Sequence, residues 1–160
     1  MTHPVFPDIL GPVIILAAWT MVMWLWMYAT RIPAMRRANI DLGKLTGGKG
    51  SDLDNVLQPK VQWIAHNYNH LHEAPTVFYA IALTLAIMGM GDGLNATIAW
   101  VYVALRIAHS LVQALVNRIM VRFLIFVASS IALIMLVYLT TSLTTSLLMN
   151  WYNARIARAH

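Results

Sequence analysis

The chain has 160 residues, of which 59% are hydrophobic and 11% charged, and its mean hydropathy is +0.65. A soluble domain carries about a quarter charged residues, so these proportions exclude that class and indicate a single all-α integral membrane domain. The net charge is +5, but the bases lie in loops beside apolar runs rather than in an arm for nucleic acid, and without cysteine no disulfide or thiolate ligand exists.

Residues 1–7 hold no Lys or Arg, so they lack the basic n-region of a cleaved signal peptide. The first apolar run, 9–32, is therefore expected to stay. Asp8 and Pro12 suit a helix start, and the run is long enough to cross a hydrocarbon core of about 30 Å. Trp19, Trp24 and Trp26 read as lipid-facing bulk. Arg31, near its end, either snorkels or reaches inward to a ligand.

Residues 33–60 form the one long polar segment. Gly43, Gly48 and Lys49 nearly spell a phosphate-binding loop, but Gly50 follows where Ser or Thr is needed, and no strand precedes it. The stretch reads as a flexible loop. It holds many of the bases, so the positive-inside rule puts it in the cytoplasm.

The second span, 61–90, opens on a polar stripe. Gln62, His66, Asn69, His70 and Glu73 are spaced by four, three, one and three, which places them on one helix face. Glu73 is the only glutamate in the chain. A polar stripe entering a bilayer is costly and is usually kept for function. Pro75 is expected to kink this helix or free a carbonyl.

The third span, 94–116, carries Arg106, His109, Ser110 and Gln113 on one face. An arginine near mid-span faces the bundle interior and seeks an acid. Every aspartate lies outside the spans, so Glu73 is the expected partner of Arg106. The chain must then turn within 117–122, because a single helix from 94 to 148 would be about 80 Å long. The fourth span runs over 123–148, and Trp151, Tyr152, Arg155 and Arg158 read as an interfacial anchor. Four spans make a four-helix bundle with both termini on one side.

Two motifs resemble a known family. Asn67-Tyr68-Asn69-His70-Leu71-His72-Glu73-Ala74-Pro75 with Phe78-Tyr79, and Leu105-Arg106-Ile107-Ala108-His109-Ser110 with Asn117-Arg118 and Arg122-Phe123, look like the second- and third-helix signatures of the membrane-associated proteins in eicosanoid and glutathione metabolism (MAPEG). The likeness covers roughly 61–132 and is closest to a bacterial branch, which implies a bacterial inner membrane. It implies a homotrimer that binds glutathione as co-substrate between subunits, for transfer to a lipophilic small molecule or for peroxide reduction. By this resemblance Glu73, Arg106 and His109 contact glutathione, and Arg122 stabilises its thiolate as the catalytic residue. His70 stands at the family's Asn position and Gln113 at its Tyr position. Arg31 matches a first-helix arginine, and His66 and Asn69 complete the polar lining.

Two other readings stand beside it. One is a non-catalytic membrane protein of the same fold that binds lipid or protein. The other is a metalloenzyme, since His66, His70 and Glu73 have ligand-like helical spacing and His109 offers a fourth contact. An Arg106-held Glu73 is a poor ligand, so no metal is expected.

Overall fold

A computed structural model describes residues 6–40, 43, 46–47 and 49–158. Asp41, Lys44 and Gly48 of the polar segment lie outside the described residues. Five α-helices follow in order: α1 Leu10–Arg37, α2 Pro59–His70, α3 Ala74–Ile87, α4 Leu94–Leu115 and α5 Ile119–Ala157, with a 3-10 turn at Gly50–Leu53. Among the described residues there is no strand. Helices α2 and α3 together make one leg of a four-legged bundle, and α1, α4 and α5 are each long and apolar enough to cross a membrane.

Helix α4 is the central leg. Its buried residues include Ala99, Tyr102, Val103, Arg106, His109, Ser110 and Gln113, the repeat of a single inward stripe. The core around it joins Leu16 and Met23 of α1, Phe78, Ala82 and Leu85 of α3, and Leu133 and Leu136 of α5.

The ends of the legs fix the topology. At one end Ile9 N–H donates to the Gly91 carbonyl at 2.9 Å and Asp8 N–H to Asp92 Oδ1 at 2.7 Å. A Cβ on Gly91 would sit 2.5 Å from Ile9 Cγ2, so only glycine permits this closure. Thr144 of α5 reaches Met88 Sδ at the same end, at 3.8 Å. Both chain termini therefore emerge on one side. At the opposite end the 3-10 turn is strapped to the bundle: Arg31 donates to the Gly50 carbonyl, and Gln62 Nε2 to the Leu53 carbonyl at 2.5 Å.

Four boundaries differ from the sequence expectation. Helix α1 passes through Pro33 to Arg37; the proline costs the Ala29 carbonyl its helical donor, yet Ala34 to Arg37 are good helix formers and carry the helix on. The second leg is broken rather than kinked, because the Pro75 ring excludes the carbonyl of Leu71 four residues back, and α2 stops at His70. The third turn is tighter than 117–122. Asn117 takes a left-handed φ of 52° and α5 restarts two residues later; asparagine tolerates that conformation better than most. Arg122 thus lies in the first turn of α5. Finally, α5 does not stop near 148 but runs to Ala157, about 58 Å at 1.5 Å per residue. Residues 145–157 stand exposed beyond the Thr144 contact.

Candidate functional site

The polar stripe of α2 divides between two neighbours. His66 and Asn69 turn toward α1 and the strapped turn, where with Arg31, Gly50, Ser51 and Asp54 they line a cavity of about 90 Å³. His66 Nε2 lies 3.0 Å from Asp54 Oδ2. His70, at the last turn of α2, faces the other way. With His109 of α4 and Ile119, Arg122, Phe123 and Phe126 of α5 it lines a cavity of about 220 Å³. The residues expected to form one pocket therefore form two.

The second cavity has an aromatic back wall. The His70 and His109 rings pack at 5.0 Å between centroids, and Phe126 meets His70 edge-on at 5.6 Å. Arg122 Nη1 donates to Asn117 Oδ1 at 2.5 Å, while its Nε is buried without a partner. The positive-φ asparagine thus aims the arginine as well as making the turn.

The Arg106 guanidinium packs against this wall. It is 1% exposed, and its Cζ lies 5.7 Å from the centre of the Phe126 ring and 5.6 Å from that of Tyr102. Nε donates to the Tyr102 hydroxyl at 3.1 Å, and Tyr102 is itself stacked on Phe78. Nη1 and Nη2 are buried with no partner among the described residues. The ion pair with Glu73 expected from the sequence does not form. Glu73 sits in the break between α2 and α3 with its side chain 68% exposed, and the His70 imidazole lies 3.8 Å from its carboxylate. The break explains this, since on a continuous helix Glu73 would have shared a face with His70.

Gln113 is buried one helical repeat along from Arg106, and its Oε1 is unpartnered. A buried amide oxygen and two guanidinium nitrogens left unpaired cost free energy unless a ligand or neighbour meets them. Among the described residues no group of three or more His, Asp and Glu is placed to hold a metal. The sequence reading also missed a polar knot. Ser110 Oγ accepts from Asn67 Nδ2 at 2.6 Å and from Trp19 Nε1 at 3.0 Å, tying α1, α2 and α4 together. Trp19, read as lipid-facing, is half-buried against the core, as are Trp24 and Trp26. The signal was Asn67, a polar side chain that falls outside the stripe on the α2 wheel.

The sequence pattern of the MAPEG family covers residues 9–142. The chain belongs to the MAPEG family. None of the curated proteins matches it. Membership makes it a membrane protein of the glutathione and eicosanoid metabolism kind. The match runs from the start of α1 into α5 and stops two residues before Thr144, so the exposed end of α5 lies beyond it.

Proposed function

We propose that this MAPEG protein is a glutathione-dependent transferase or peroxidase for lipophilic electrophiles, working as a homotrimer. The observation that carries the reading is the Arg106 guanidinium, fully buried with two nitrogens unpaired beside a cavity that holds a second arginine. A guanidinium fork suits a carboxylate, and glutathione brings two. Its ammonium suits Glu73, which stands exposed at the break. Arg122 is the catalytic residue: its charge lowers the thiol pKa and raises the thiolate fraction. In the transfer reaction the thiolate sulfur forms a bond to the electrophilic carbon, and the leaving group departs with its electron pair. Ile119 and Phe123, on the cavity rim, are 78% and 55% exposed, which suits arrival of an apolar substrate through lipid. The polar segment 33–60 faces the cytoplasm of a bacterial inner membrane, because it holds more bases than the tail.

Calorimetry with glutathione and thiolate absorbance of the bound peptide test this. The wild type is expected to bind at millimolar concentration or below and to give a thiolate signal, and Arg122→Leu to lose the signal while keeping most of the affinity. No binding and no signal in the wild type would overturn the reading. The second reading, a non-catalytic binding protein, is favoured by the packed His70–His109–Phe126 wall, which leaves the thiol little room beside Arg106.

A further inference from the structure

A different cavity carries an inference of its own. At the strapped end of the bundle, the last turns of α1 and the start of α2 enclose a groove of about 510 Å³. Ala29, Pro33 and Ala34 of α1 form one wall, Leu57 and Val61 the other, and Arg37 stands at the rim. The small side chains on α1 are what open it. None of the lining residues is acidic, and among the described residues no carboxylate pairs with Arg37.

The level of the groove in the membrane follows from helix lengths. Helix α4 runs from turn to turn in 22 residues, about 33 Å, and so matches the hydrocarbon thickness. Helix α1 starts at the same end but has 28 residues, about 42 Å. Its surplus of about 9 Å, roughly the last six residues, therefore lies at headgroup depth. A groove lined mainly by apolar side chains, with Ala29 below headgroup depth and at Arg37 a guanidinium that no carboxylate among the described residues pairs, has the polarity of one lipid molecule. Guanidinium and phosphate match in a bidentate way, and basic pockets between spans are where acidic lipids bind.

We propose that this groove holds an anionic phospholipid of the leaflet facing the polar segment, with an acyl chain along Ala29–Ala34 and its phosphate on Arg37. This site is separate from the Arg106 and Arg122 cavity and stands whether or not glutathione binds.

Native mass spectrometry of the detergent-solubilised protein, titrated with phosphatidylglycerol or phosphatidylcholine, tests it. The wild type is expected to favour phosphatidylglycerol. Arg37→Ala should weaken that lipid about tenfold, the size of one lost charge-assisted contact. Arg36→Ala removes the same charge from a residue that does not line the groove and should change binding less than twofold. Ala34→Trp fills the groove and should weaken both lipids, with the melting temperature of the protein as the check that it is folded. Equal losses in Arg36→Ala and Arg37→Ala would mean diffuse attraction and overturn the site. So would equal affinity for the two lipids, displacement of phosphatidylglycerol by inorganic phosphate, or binding only to dissociated subunits, which would mean that a second copy covers the groove.

Discussion

Arg106 shows how far single residues could be read. Its place inside the bundle was legible, because an arginine at mid-span has nowhere else to go. Its partner was not, because a sequence offers acids as partners and says nothing of a phenol one turn away on the same helix. Tyr102 takes Nε, and two aromatic faces supply the rest of the local attraction. The consequence reverses what an ion pair would give. With no ligand bound, Glu73→Gln should leave the melting temperature nearly unchanged, since an exposed carboxylate contributes little. Arg106→Met should be neutral or stabilising, because it removes an unpaired buried charge, while abolishing glutathione binding. Tyr102→Phe should destabilise by about 1–3 kcal/mol by stripping Nε of its acceptor. Thermal unfolding of the three variants in one detergent checks all of this, and a sharp loss in Glu73→Gln alone would restore the ion pair.

Elements were legible where hydrophobic runs are long and poorly so at prolines and turns. The apolar runs of α1, α4 and α5 announced themselves. Pro33 and Pro75 look alike in sequence, yet one is absorbed and the other ends a helix. Strong helix formers follow Pro33, whereas Pro75 follows a His- and Asn-rich stretch whose own helical preference is weak. The break matters because it sets where His70 ends up. Pro75→Ala is expected to let α2 and α3 run together, which rotates His70 away from His109. Glutathione affinity should then fall by about tenfold or more, as expected when a binding group is misplaced by an ångström. Calorimetry on the variant measures this, and unchanged affinity would clear the break of any role in the site.

At the scale of the molecule, the four-legged bundle and the common side of its termini were legible from the apolar runs alone. What no single chain displays is its neighbours. The exposed apolar surface is wide, with Ile14, Leu25, Ile134 and Tyr138 all at least 60% exposed, and lipid and protein cover such surface equally well in a membrane. A homotrimer is expected on native mass spectrometry in mild detergent, and monomers alone would refute it. The absence of cysteine makes the orientation simple to measure. Lys49→Cys and Arg158→Cys should react with an impermeant maleimide from opposite faces of the membrane, the former only from the cytoplasm.

The end of α5 overhangs the bundle beyond the Thr144 contact. Past Ser146 its amides are held by nothing but their own helical ladder, and a free segment of about a dozen residues is barely helical in water. Whether it stays wound depends on its surroundings, not on the bundle. Deuterium uptake over residues 147–157 therefore reports on those surroundings: rapid where the segment stands in water, slow where lipid or a companion helix sheathes it. The stretch from Leu133 to Thr140, whose Leu133, Leu136 and Thr140 are buried against the bundle, supplies the internal reference within the same helix.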